Sequence, residues 1–100
     1  MKAEIKDEWV AALRSGRFQQ CGGLLKMETA HGCFHCALGV LMELAVEHGI
    51  IEDYEETADI PDEVAEWAGL TGAEIKATVY NNDILGYPFD ELAGYIEAKL

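Results

Sequence analysis

From Met27 to Ile75 the chain has neither lysine nor arginine, although twelve carboxylates fall in that span. Proteins that grip nucleic-acid phosphates or anionic lipid do so with bases, so this deficit disfavours direct binding to either. Cysteine is also sparse. Three thiols, Cys21, Cys33 and Cys36, are an odd number and argue against a disulfide framework. No long apolar run is present, because the most apolar segment, Cys36 to Val46, is interrupted by Glu43 and is too short to span a bilayer. The first eight residues are charged and lack the apolar stretch of a signal peptide, which predicts a cytoplasmic protein.

Half of the 100 residues are apolar, which separates this chain from disordered acidic proteins and predicts one compact domain over residues 1–100. The pattern is mainly α within an α+β class. Ile5, Trp9, Ala12 and Leu13 recur at helical spacing and predict a helix over 4–15, stopped by Ser15-Gly16. Two apolar runs around the turn-like Glu28 to Gly32 predict a small β-hairpin over about residues 24–35. Ala37, Val40, Leu41, Leu44 and Ala45 form a broad apolar stripe, which predicts a central buried helix over 36–48 ended by Gly49.

The stretch from Glu52 to Asp59 reads as an exposed acidic loop. Pro61 suits the first position of a short helix whose apolar face is Ile60, Val64, Trp67 and Ala68, with Gly69 ending it. Thr71-Gly72-Ala73-Glu74 has the form of a capping box and predicts a fourth helix that frays into a turn at Asn81-Asn82-Asp83. Pro88 restarts a fifth helix lined by Phe89, Leu92, Ala93, Ile96 and Leu100.

Two groups of residues bear on function. Cys21, His31, Cys33, His35 and Cys36 lie close in sequence, and Cys33 and Cys36 have Cys-x₂-Cys spacing, which suits one corner of a tetrahedral zinc site. The remaining donors have no regular spacing, and Cys36 opens the apolar stripe of the central helix, so core packing is the favoured reading and no cofactor is expected. A thiol enzyme built on Cys33 would need an oriented histidine beside it, and no glycine-rich oxyanion turn accompanies the pair.

The second group is acidic. Glu52, Asp53, Glu55, Glu56, Asp59, Asp62, Glu63, Glu66 and Glu74 fall within residues 52–74, and the formal charge is −12. Acids at a helix N-terminus are ordinary, but surfaces normally mix both signs, and here none of the other sign is present. Carboxylates three or four apart on a helix are separated by roughly 5–6 Å, close to the spacing of phosphates along one strand. Such a face can occupy a Lys/Arg groove that otherwise holds nucleic acid. The first eight of these acids, with Tyr54 as an apolar anchor, are therefore the candidate partner-binding residues. Lys2, Lys6, Arg14 and Arg17 gather near the first helix as a rival contact surface.

Trp9-x₃-Leu13-Arg14-Ser15-Gly16-Arg17, Leu24-Leu25, Cys36-Ala37-Leu38-Gly39-Val40-Leu41, Ile60-Pro61-x₂-Val64-x₂-Trp67-x-Gly69-Leu70, Asn82-Asp83 and Phe89-x-Glu91-Leu92-Ala93-x-Tyr95-Ile96-Glu97 together resemble a group of small phage and prophage proteins. That group often has paired cysteines before Leu-Gly-Val-Leu, where this chain has His35-Cys36-Ala37. In class, size and charge the chain is similar to anti-CRISPR inhibitors. The resemblance implies a non-enzymatic inhibitor in a host cell, with a basic CRISPR effector complex of type I, I-F foremost, as partner. A small structural or regulatory zinc module using the Cys/His cluster is the alternative.

Overall fold

The computed structural model describes residues 1–57 and 59–100. Among these are five helices and a small sheet: α1 (Ala3–Arg14), β1 (Gln19–Gln20), β2 (Lys26–Thr29), β3 (Gly32–His35), α2 (Ala37–Glu47), α3 (Asp62–Ala68), α4 (Gly72–Val79) and α5 (Phe89–Lys99). The α+β architecture with a central apolar helix is as the sequence predicts. Ala37, Val40, Leu41, Met42 and Ala45 of α2 are fully buried, with α1 and α5 packed beside one another. Trp9 of α1 is fully buried too, and its indole N–H donates to the carbonyl of Ala37 at 2.9 Å, so its one polar atom is satisfied.

The hairpin forms, with β2 and β3 antiparallel and Thr29 opposite Gly32. The sequence pattern does not reveal β1, which pairs parallel to β3 with Gln20 opposite His35 and makes the sheet order β1-β3-β2. Helix ends follow local chemistry. Thr71 and Glu74 form the reciprocal capping box: Glu74 N–H donates to Thr71 Oγ1 at 3.2 Å, and Thr71 N–H donates to Glu74 Oε1 at 2.9 Å. Gly69 closes α3 in the left-handed region at φ 73°.

Two expectations need correction. Pro61 is not the first helical residue but the cap before it, with an extended ψ of 151°, whereas Pro88 precedes its helix as expected. The segment after α4 does not fray into a turn. It winds on as a π-helical stretch, Tyr80–Ile84, in which the Leu85 N–H reaches back to the Tyr80 carbonyl at 3.1 Å. The wider winding turns Asn81 and Asn82 inward, and both are buried.

Asn82 explains why polar residues hold the inner side. Its side-chain oxygen accepts from the Ala37 N–H at 3.2 Å, an otherwise unpaired donor in the first turn of α2, and from Gln20 Nε2 at 2.9 Å. Its amide nitrogen donates to the Cys21 carbonyl at 3.0 Å and to Asp83 Oδ1 at 2.7 Å. One side chain thus ties β1, α2 and the π segment together.

Gly39 marks the tightest approach in the fold. A Cβ placed there would lie 1.7 Å from the Leu25 carbonyl oxygen, a backbone atom with no freedom to rotate away. Gly39→Ala should therefore lower stability by at least about 3 kcal/mol or prevent folding. Gly94, in α5, is the control: a methyl added there would meet nothing within 4 Å, and Gly94→Ala should raise stability by about 0.5–1 kcal/mol. Urea unfolding of both variants measures the contrast.

Candidate functional site

Of the acidic stretch predicted over 52–59, residues 53–56 lie as a strap against β2, and Ala58 lies outside the described residues. Glu56 anchors it twice: its carbonyl accepts the Leu25 N–H at 2.8 Å, and its Oε1 accepts the Glu28 N–H at 3.4 Å. Among the described residues Lys26 is the one base drawn into it, with Nζ 3.3 Å from Asp53 Oδ1 and 4.4 Å from the centre of the Tyr54 ring. Asp53 is held below the usual carboxylate range, first by the Tyr54 N–H and then by Lys26.

Glu52, Asp53, Glu55, Glu56, Asp59, Asp62, Glu63 and Glu66 are all exposed. The three on α3 project from a helix whose other side packs inward through Val64 and Ala68, while Trp67 meets the His48 ring at 5.3 Å. Tyr54 differs from the anchor role expected of it. It is buried, with its hydroxyl 3.3 Å from the Gly39 carbonyl, because an aromatic ring in the strap is the means of pinning the strap to α2. Glu28 of β2 and Glu43 of α2, two further carboxylates of the base-free span, add to burial in pushing the Cys33 thiol up. Of the rival bases, Arg14 and Arg17 are engaged in ion pairs with Glu97 and Glu47 at 3.0 and 2.7 Å.

The Cys/His residues diverge. Cys36 is the N-cap of α2, its sulfur accepting the Gly39 N–H at 3.4 Å. Cys21 points to the Leu24 carbonyl at 3.6 Å, His31 sits exposed at the hairpin turn, and Cys33 is exposed on β3. Among the described residues no group of three or more Cys, His, Asp or Glu side chains has the geometry of a metal site. Burial, the largest influence, pushes the Cys21 thiol up to about 11; all three thiols are raised, which disfavours the reactive thiolate.

Cys33, His35 and Glu43 do approach one another, but not as a catalytic relay. Cys33 Sγ and Glu43 Oε1 both face Nε2 of His35, at 3.9 and 3.6 Å, while its Nδ1 is buried without a partner among the described residues. A relay needs the nucleophile at one ring nitrogen and the orienting acid at the other.

A groove of about 620 Å³ opens between the Gly23–Leu25 segment and the wall made by α4 and the π segment. Leu25, Leu38, Ile60, Ile75, Val79 and Ile84 give it an apolar lining, and Asp59, Asp83 and Lys76 also border it. Sequence reasoning does not reach this feature. The signal for it is the pair of apolar doublets, Val79-Tyr80 and Ile84-Leu85, bracketing Asn81-Asn82-Asp83; the two asparagines have the composition of a turn but form the buried side.

The whole chain, residues 1–100, matches the profile of a family described as a domain of unknown function, DUF8296, and the protein belongs to that family. No curated protein and no solved structure matches it. Among the described residues no helix is long and apolar enough to cross a membrane.

The environment of His35 sets a pH dependence. Burial, the largest influence, lowers its proton affinity below the ordinary 6.5; Glu43 opposes this and Lys26 adds to it. The fold thus favours neutral imidazole while the unfolded chain takes up the proton more readily, so the His35 contribution to stability is full above pH 6.5 and is lost as pH drops below it. Urea midpoints measured from about pH 7.5 to about pH 5 should decline more steeply for the wild type than for His35→Gln.

Proposed function

We propose that this protein is a non-enzymatic inhibitor that binds a basic, nucleic-acid-handling protein complex through the acidic surface of the strap and α3. The observation that carries the reading is that eight carboxylates between Glu52 and Glu66 stand exposed in a span with no lysine or arginine. Among the described residues Lys26 is the single base that pairs into the strap, and it neutralises only Asp53. The remaining field is free to attract a cationic groove and to steer its approach.

A groove that holds DNA presents Lys and Arg at the spacing of phosphates, and carboxylates on a folded surface can stand in for those phosphates. The resemblance to phage proteins and to anti-CRISPR inhibitors directs the choice of partner to a type I CRISPR effector complex, with I-F as the first to test. Binding there would block access of target DNA.

Reversal of Glu52, Glu55, Glu63 and Glu66 to lysine tests the reading without touching Asp53, Glu56 or the groove border. In a competition assay the wild type should displace target DNA from the effector, and displacement should weaken as salt rises, because exposed charges are screened beyond roughly 8–10 Å. The reversed variant should lose displacement while keeping its circular dichroism spectrum. Undiminished displacement by a folded reversed variant would show that the acidic surface is not the contact.

A further inference from the structure

We propose that the groove between the Gly23–Leu25 segment and the α4–π wall is the docking site for an amphipathic helix of the partner protein, its apolar face flanked by lysine or arginine. This rests on the acidic-surface reading and adds to it the apolar anchor and the form of the partner segment.

Four large hydrophobic side chains stand exposed on one short segment: Val79 at 40%, Tyr80 at 52%, Ile84 at 69% and Leu85 at 46%. Isolated exposed apolar residues are ordinary, but a contiguous group marks a surface that another molecule covers. Three of the four also border the groove, and Leu85 beside them does not, so the exposed apolar surface extends from the groove lining onto a shoulder outside it. A small molecule held in the floor would leave that shoulder wet, whereas a helix laid across both would cover it.

An extended strand does not fit equally well. The backbone groups of Leu25, at the groove floor, are already used: its N–H donates to the Glu56 carbonyl and its carbonyl accepts the Cys36 N–H. Leu25 therefore offers no ladder edge for a strand to pair with, while side-chain packing of a helix needs none.

Charge sets the flanks. Asp59 and Asp83 border the groove, and the strap of Glu52 to Glu56 approaches it through the Leu25 hydrogen bond; Lys76 is the base among the lining residues. A second copy of this chain would bring the same acids face to face, each copy at −12, so self-pairing is opposed. The wall is also fixed in advance. Asn82 holds the π segment through its bonds to Ala37, Gln20 and Cys21, so Val79 and Ile84 cannot turn inward to bury themselves.

The test uses the isotope-labelled full chain and two synthetic helical peptides of about 15 residues. Both carry leucines at i, i+3, i+4 and i+7; one has lysine flanks, the other glutamate flanks. The lysine-flanked peptide should bind saturably, shifting the amide signals of Ile75, Val79 and Ile84, and the glutamate-flanked one should bind at least about tenfold more weakly. Ile84→Glu should weaken the lysine-flanked peptide about tenfold with no change in unfolding midpoint, as suits a side chain already 69% exposed.

Absence of saturable binding, equal affinity for both peptides, or shifts confined to the strap would each overturn the proposal. So would a concentration-dependent dimer that Ile84→Glu abolishes, since the occupant would then be a second copy. A chain with Glu52, Glu55, Glu63 and Glu66 reversed that still binds the lysine-flanked peptide at the groove supports docking there and counts only against the acidic-surface reading. An Ile84→Glu chain that binds the peptide like the wild type overturns groove docking whatever the reversed chain does.

Discussion

The contact between the Leu25 carbonyl and the backbone of Gly39 governs how the parts of this molecule meet. It brings the start of the hairpin against the first turns of α2 at a distance no side chain would permit. Around it, the Leu25 carbonyl takes the Cys36 N–H, the Leu25 N–H reaches Glu56, and the Tyr54 hydroxyl meets the Gly39 carbonyl. Sheet, central helix and acidic strap are therefore joined within a few ångströms. The position of the strap is a consequence of this junction rather than of its own sequence, which has weak periodicity and no intrinsic preference. A glycine in the middle of an apolar helix ordinarily weakens it; here the loss is offset because the close approach lets Leu25 and Tyr54 be buried against α2.

What the sequence makes legible follows from how local each signal is. The capping box at Thr71 and Glu74, the glycine at the end of α3 and the apolar stripe of α2 are decided within a few residues, and each is found where the pattern places it. β1 is two residues long and exists only because β3 offers it an edge, so no periodicity could announce it. Asn81-Asn82-Asp83 carries the composition of a turn, yet Asn82 is placed inside by a demand from Ala37, forty-five positions away. Tyr54 is likewise surrounded by acids in sequence and by α2 in space. Composition describes the neighbours along the chain, and burial is decided by the neighbours across it.

The same distinction explains the uneven legibility of the candidate sites. Charge is additive, so an acidic surface survives any rearrangement that leaves the side chains in water, and the eight carboxylates are exposed as expected. A metal or nucleophile site is geometric and requires several side chains to converge. Adjacent residues of β3 point to opposite faces, which divides the Cys33 to Cys36 run, and Cys36 is committed to capping α2. Proximity in sequence thus carries little information about the thiols and a good deal about the carboxylates.

For the inhibitor proposed above, an acidic surface alone would not suffice. Exposed ion pairs contribute little net affinity, because water and salt compete for both partners, and their main effect is on the rate of encounter. Durable binding comes from a few side chains desolvated in a packed pocket. Tyr54 cannot serve, since it is already occupied in holding the strap. The apolar surface of Val79, Tyr80, Ile84 and Leu85 is available instead, and it adjoins a groove bordered by Asp59 and Asp83. The buried hydrogen bonds of Asn82 keep that surface outward, so the polar interior and the apolar exterior of one π turn have a single cause. A field that attracts and a shoulder that retains would then act in sequence, the first setting how fast a cationic partner arrives and the second how long it stays.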